Sequence, residues 1–272
     1  MNEILILAES KDGLLDKKTL ELMRGANDLG KELGAEACVV VVGDRIAPLA
    51  DEAAAFGLGK VYRLEHPLLK GFDSSVWAAA LEWLCRQVNP SIFLISHSFV
   101  GKEVAPRLSH RLGSRLTTDC LGLKVDPSDG LLIRTKPVYG GNAIAAVKCA
   151  GLPQMVTMRK NCFEPMEQKP GKGEIVAMTP TIDETLVKVK VLETVSGESV
   201  ELDKANVVIA GGRGIEARED FGLLEALAAA MGKSYGNVMI GCSRPVVDKA
   251  WMSSDRQVGL TGTIIAPDAY IA

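Results

Sequence analysis

Aromatic side chains are scarce in this 272-residue chain, at 5%, and their scarcity removes the stacking platform on which single-stranded nucleic acids are held. Blocks of Lys and Arg are also missing, and the formal net charge is -3. A weakly acidic chain exerts no general attraction on a phosphate backbone, so nucleic acid is excluded as a partner. The six cysteines, Cys38, Cys85, Cys120, Cys149, Cys162 and Cys242, form no C-x-x-C pair. That spacing argues against a zinc knuckle or an iron–sulfur ligand set and fits small buried hydrophobes in a reducing compartment. The three histidines, His66, His97 and His110, show neither H-E-x-x-H nor a pair at helical spacing, so no metal centre is expected. Around Ser96, His97 and Ser98 the G-x-S-x-G of a hydrolase is missing. No run of about 18 apolar residues is present to span a membrane. The apolar stretch at residues 4–8 is too short for a signal-peptide core and lacks its basic start. A soluble cytoplasmic protein is expected.

What remains is an ordinary globular composition, 47% hydrophobic and 24% charged, in a length that favours two domains over one core. Residues 4–8 form a short, fully apolar run, as a strand covered on both faces requires, and residues 17–33 follow with helical spacing at Leu20, Met23, Ala26 and Leu29. The unit repeats: strands at residues 37–43, 60–65 and 91–96 alternate with helices near 46–56, 74–87 and 102–112. Such alternation predicts a parallel sheet with right-handed crossovers. A β-rich tract at residues 131–150 and a strand at 155–159 come next, then a turn-rich stretch at 161–174. Residues 187–195 alternate like a half-exposed strand, and residues 196–205 read as a linker.

Beyond the linker the pattern restarts with a strand at residues 206–210, a helix at about 219–231 closed by Gly232, and strands at 237–242 and 263–266. Phe221, Leu224, Leu227 and Met231 make the helix's apolar stripe. Gly211, Gly212 and Gly214 fall where the first strand is expected to turn into that helix, a position at which backbone N–H groups and the helix dipole receive a phosphate. Arg213 between them supplies a pairing cation. A tight turn chosen for packing accounts for these glycines equally well, and the spacing is not G-x-G-x-x-G.

Ser243 and Arg244 follow the next strand, at the sheet edge where ligands bind. Ser243 also reads as an N-cap ahead of Pro245, whereas the Arg244 guanidinium needs solvent or an anion. Gln257, Gly259, Thr261 and Gly262 make a third loop, whose glycines admit a flat ligand and whose polar groups can read a heteroaromatic ring. Three successive strand ends carrying such loops are a stronger signal than any one of them. Elsewhere, Thr117, Thr118 and Asp119 read as a cap or turn, and Lys136, Tyr139, Gly140, Gly141 and Asn142 as a hairpin turn.

Read together, VVIAGGRGI, GCSRPVVDKAW and DRQVGLTGTIIAPDAYIA resemble the FAD-binding domain of the electron transfer flavoprotein α-subunit family. EVAPRLSHRLGSRLTTDC and KPVYGGNAIA resemble that family's N-terminal domain, so the similarity covers essentially the whole chain. The resemblance implies an α/β protein in two parts. Residues 1–195, with a linker strand at 185–195, would form a parallel-sheet α/β domain of the adenine nucleotide α-hydrolase-like kind. Residues 196–272 would form part of a doubly wound NAD/FAD-binding domain of the deoxyhypusine synthase-like (DHS-like) kind.

The same resemblance implies FAD extended across the second domain, its isoalloxazine ring facing a β subunit in a heterodimer. It places Arg213 and Ser243 near the phosphates or ribityl chain, Arg244 against the ring and the Thr261 hydroxyl at the flavin N5, with Gln257, Val258 and Gly259 shaping the loop. Leu260 stands where the family is usually polar, often Gln, which removes a side-chain hydrogen bond. The family continues past the equivalent of APDAYIA with G-[IV]-S-G-A-x-Q-H and adenosine-binding strands, so a member cut short, with FAD binding weakened or lost, is expected. Implied partners are a flavin dehydrogenase donor, such as the acyl-CoA dehydrogenases of fatty acid β-oxidation, and a quinone-linked or other acceptor. Two other readings stay open at this point: an FAD-free module that docks the partner subunit, and a nicotinamide-dependent enzyme on a related sheet, for which no catalytic Lys or acid–base pair is found.

Overall fold

A computed structural model describes residues 3–168, 171–189, 191, 193, 200–259 and 261–272. The chain divides into two compact units, Met1–Leu192 and Glu193–Ala272. The first runs β1 (Glu3–Leu7), the short hairpin β2 (Ser10–Lys11) and β3 (Leu14–Leu15), α1 (Lys17–Leu33), β4 (Glu36–Gly43), α2 (Ala47–Ala54), β5 (Lys60–Glu65), α3 (Ser74–Val88), β6 (Ile92–Ser96) and α4 (Phe99–Leu112). Then come β7 (Leu116–Cys120), β8 (Gly122–Val125), β9 (Leu132–Val138), β10 (Ala143–Lys148), β11 (Gln154–Met158) and β12 (Glu174–Met178). Seven strands pair in the order β12-β5-β4-β1-β6-β11-β7, all in parallel. Strands β8 to β10 form a separate antiparallel sheet, with residues 139–142 turning β9 into β10 as a hairpin.

The unbroken apolar runs are explained by burial on both faces. Ile4, Ile6, Val39, Val41, Ile92 and Leu94 pack on the side of α1 and α2. Their sequence neighbours Leu5, Leu7, Val40, Phe93 and Ile95 pack on the side of α3 and α4. Helix ends follow local chemistry. The Asp16 and Asp73 carboxylates accept the backbone N–H groups of Lys18 (3.1 Å) and Ser75 (2.8 Å), while Gly34 and Gly113 close α1 and α4 in the left-handed region. Helix α4 starts at Phe99 and not at residue 102, because Ser98 Oγ accepts the Gly101 N–H at 3.0 Å and caps it.

Two expectations for this unit are corrected, and one strand was not foreseen. Thr117, Thr118 and Asp119 lie inside β7 rather than in a cap or turn. Residues 174–178 form an edge strand, β12, alongside β5. The described residues between 187 and 193 carry no strand; Val187, Val189 and Val191 are 42%, 62% and 63% exposed, with no neighbouring strand among the described residues to take up their backbone groups. Residues 190, 192 and 194–199, the rest of the expected linker strand and the start of the expected linker, lie outside the described residues.

The second unit contains β13 (Val207–Gly211), α5 (Phe221–Tyr235), β14 (Val238–Cys242), α6 (Arg244–Asp248) and β15 (Ala269–Ile271), paired in parallel in the order β14-β13-β15. The chain builds to one side of β13 and then returns to the other, the reversal that opens a crevice at the carboxyl ends of strands. Gly232 does not end α5, which runs on to Tyr235 and stops at Gly236, φ 76°. Of the expected stripe Phe221 is buried, whereas Leu227 is 40% exposed. The third strand is not at residues 263–266. Thr263 N–H is taken by the Gln257 carbonyl at 2.7 Å, and Pro267 has no N–H to give to a ladder. Pairing with β13 starts once Asp268 N–H reaches the Asn206 carbonyl at 2.8 Å.

Candidate functional site

In the first unit the carboxyl edge of the sheet is occupied by charges that pair with one another. Glu9, just after β1, accepts Ser98 Oγ–H at 2.6 Å and lies 3.2 Å from Lys18 Nζ. Arg159 grips Asp119 with Nε and Nη2 at 2.9 and 2.7 Å. Asp119 has φ 60°. Its N–H donates to Thr157 Oγ1 at 3.0 Å, and His97 Nδ1 lies 2.9 Å from the same hydroxyl. Glu3, Glu36 and Cys38 bring potential ligand atoms within 4.8 Å of one another at the opposite edge. There, however, Lys60 Nζ already sits 2.7 Å from Glu3 and Tyr62 donates to it, so a second cation is disfavoured.

This network fixes an acid response. Burial opposes the Asp119 charge, but the hydrogen bonds and positive charge of Arg159, with His97 and Lys136, hold the carboxyl below its ordinary 3.8. Burial lowers His97 below 6.5, with Asp119 opposing and Lys102, Arg159 and Lys136 reinforcing. Both groups bind fewer protons folded than unfolded, so both contribute stability that acid removes. The His97 share is lost as pH falls below 6.5, and the Asp119 share as pH falls below 3.8 through its depressed folded value. Asp119→Asn is expected to flatten the lower part of this decline and to deepen the upper part, because it removes the charge that opposes the lowering of His97. Urea unfolding between about pH 3 and about pH 7 checks it, and an unchanged low-pH slope would remove Asp119 from the account.

The second unit presents the three loops anticipated from sequence, and contacts join them in succession. Ser243 N–H donates to the Gly211 carbonyl at 3.0 Å, and a Cβ on Gly212 would lie 3.4 Å from Ser243 Oγ. Ser243 is the N-cap residue of α6, yet its side chain makes no capping hydrogen bond. Gln257 bridges Cys242 in parallel, and Val258 N–H donates to the Cys242 carbonyl at 2.9 Å, so the third loop lies along the end of β14. That loop closes on itself: besides the Thr263–Gln257 bond, Gly262 N–H donates to Gly259 O at 3.0 Å and Gly259 N–H to Thr263 O at 3.2 Å. Gly259 has φ 118°, a conformation that other residues resist. Gln257 is buried and Thr261 is exposed.

Arg213 and Arg244 are both exposed at this edge, with Arg244 Nε 3.6 Å from Asp248 Oδ2. Sequence reading missed two anchors. Arg256 Nη1 donates to the Ile240 carbonyl at 3.0 Å, and Asp255 Oδ2 accepts the Val200 N–H at 3.0 Å; both open the stretch DRQVGLTG, but nothing in it singles them out as anchors. A 3-10 turn, Arg218–Asp220, precedes α5, which starts at Phe221 close to the expected start at about residue 219, and a Cβ on Gly211 would meet the Phe221 ring. Leu260 lies outside the described residues.

The donor set suits a ligand carrying both phosphates and a flat heteroaromatic ring. Two guanidinium groups and an uncommitted serine hydroxyl match the anion, glycine backbone admits close approach, and the loop at Gln257 and Thr261 supplies directional hydrogen-bonding groups. Among the described residues no helix is long and apolar enough to cross a membrane.

Residues 4–183 match the electron transfer flavoprotein domain, and residues 201–272 match the electron transfer flavoprotein FAD-binding domain. Sheet, loops and matches together define a flavin-dependent electron carrier. Similar proteins include the electron transfer flavoprotein subunit alpha of Thermoanaerobacterium thermosaccharolyticum, 32% identical over 99% of this chain and 81% of that one. The subunit of the same name from Clostridium acetobutylicum is 32% identical over 99% and 80%, and Protein FixB of Clostridium saccharobutylicum is 29% identical over 99% and 80%. The chain belongs to the electron transfer flavoprotein α-subunit family.

Proposed function

We propose that this chain holds FAD in its second unit and works as a heterodimer with a β subunit in the cytoplasm. It carries electrons from a flavin dehydrogenase, such as an acyl-CoA dehydrogenase of fatty acid β-oxidation, to a quinone-linked oxidoreductase or another acceptor. The observation that supports this most is the continuous polar edge from Gly211 through Ser243 and Cys242 to the loop at Gln257. Arg213 and Ser243 bind near the phosphates or ribityl chain, Arg244 lies against the ring, Thr261 offers its hydroxyl to N5, and Gln257, Val258 and Gly259 shape the loop. The bound flavin supplies the redox chemistry, and the protein orients it and sets its electrostatics.

Arg244 is the residue whose charge matters most in this reading. Each electron adds negative charge to the ring, and a cation beside it stabilises the reduced state more than the oxidised one. Arg244 is 67% exposed, so screening keeps the term to about 1 kcal/mol, roughly 40 mV in a one-electron couple. Arg244→Ala is therefore expected to lower the first reduction potential by that amount, and Arg244→Lys to recover part of it, because an ammonium lacks the planar face of a guanidinium. Spectroelectrochemical titration of the α–β complex measures both. A complex without the blue absorption of oxidised flavin refutes the FAD assignment, and an unchanged potential in Arg244→Ala refutes the placement of the ring.

A further inference from the structure

Gln257 and Thr261 are linked by one directional contact: Gln257 Nε2 donates to Thr261 Oγ1 at 2.8 Å. The donor is held firmly. Gln257 is 7% exposed, its N–H donates to the Ser254 carbonyl at 3.1 Å, its carbonyl accepts the Thr263 N–H at 2.7 Å, and its neighbour Val258 is tied to β14 through Cys242. The acceptor is exposed at the loop tip. A hydroxyl has one proton to give and two lone pairs. An amide N–H that occupies a lone pair from the protein side forces the hydroxyl to rotate its proton elsewhere, and the exposed side is where a ligand would meet it.

We propose that Gln257 is a positioning residue that makes the Thr261 hydroxyl a committed hydrogen-bond donor toward the bound ligand. This inference rests on the flavin reading, in which Thr261 faces N5, and deepens it. The loop then prefers a ligand atom that accepts over one that carries hydrogen. Oxidised flavin offers such an acceptor at N5, whereas 5-deaza-FAD, with a C–H at the same position and nearly the same shape, does not.

The test is the ratio of dissociation constants for FAD and 5-deaza-FAD, measured by fluorescence titration of the full chain in complex with its β subunit. Wild type is expected to favour FAD about tenfold, the scale of a hydroxyl left without its acceptor. Thr261→Ala should abolish the preference, Gln257→Met should cut it to about threefold, and Gln257→Met should have no further effect in a Thr261→Ala background, because the two act through one bond. A general loss of structure would weaken both flavins alike and leave the ratio unmoved. Gln257→Glu is the second variant: its carboxylate accepts the hydroxyl proton and turns it inward, so the preference should vanish, and any effect of the added charge cancels in the ratio. Wild type with no preference refutes the placement of Thr261 at N5. A preference that Thr261→Ala removes but that Gln257→Met and Gln257→Glu leave at tenfold overturns the role of Gln257 alone.

Discussion

Replacing Gly262 by alanine is expected to weaken flavin binding by about a hundredfold, or ~2.7 kcal/mol. A Cβ at this position would overlap the Gln257 carbonyl oxygen and come within 2.7 Å of its carbonyl carbon. The atom in the way is backbone and cannot rotate aside. The same carbonyl accepts the Thr263 N–H, so relief of the clash opens the bond that closes the loop and moves Thr261 off its position. A shift of about an ångström is enough to break a hydrogen bond. Gly222 provides the control, since a Cβ there meets nothing within 4 Å, and Gly222→Ala should keep full affinity. FAD titration of the two variants checks the pair of outcomes, and tight binding by Gly262→Ala would mean that the loop is not part of the site.

The largest effect on stability is expected at Arg134, which is 0% exposed. Its Nη1 donates to Thr117 Oγ1 at 3.0 Å and its Nη2 to Gln154 Oε1 at 3.3 Å, while Nε has no partner. Every one of these partners is neutral, and burial lowers the arginine's proton affinity. Arg134→Ala leaves both a cavity and an unpartnered Thr117 hydroxyl, and is expected to cost about 3 kcal/mol. For a domain of this size that lowers the melting temperature by roughly 6 to 12 °C. Arg134→Met fills the same space without a buried charge and should stay within about 1 kcal/mol of wild type. Thermal and urea unfolding of both variants decide the matter; equal losses in the two would mean that the charge, and not the volume, stabilises the unit.

Arg134 also marks the limit of what sequence reveals here. Its setting within the apolar run LLIRT gives no hint that a guanidinium is buried among neutral groups, because that depends on β7 and β11 arriving from elsewhere in the chain. Features that depend on near neighbours were legible: the starts of α1 and α3 fall at the expected residues 17 and 74, and the double-sided burial of β1, β4 and β6 is written as unbroken apolar runs. Where composition misled, a hydrogen-bond partner had already been taken or was lacking. Residues 263–266 look like a strand, yet Thr263 is used by the loop and Pro267 cannot pair. Residues 187–195 alternate correctly, but the described ones meet no neighbouring strand. In the candidate site, the glycines and Ser243 could be read as adjacent because parallel strands end side by side. The Gln257–Thr261 bond and the Arg256 anchor depend on how the loop folds back, and no spacing rule encodes that.

Strand β11 has a consequence for how the molecule comes into being. It is inserted between β6 and β7, although it follows both in the chain, and among the described residues β7 has no other neighbour in its sheet. During synthesis from the N-terminus, β5, β4, β1 and β6 can assemble in the order of their emergence, each beside a strand already present. Strand β7 cannot. It emerges with its place in the sheet set but its sole partner still unmade, and it has to wait through the whole hairpin of β9 and β10 before β11 closes the gap. That interval leaves an open apolar seam beside β6, the kind of unpaired edge that makes a partly folded chain prone to aggregate.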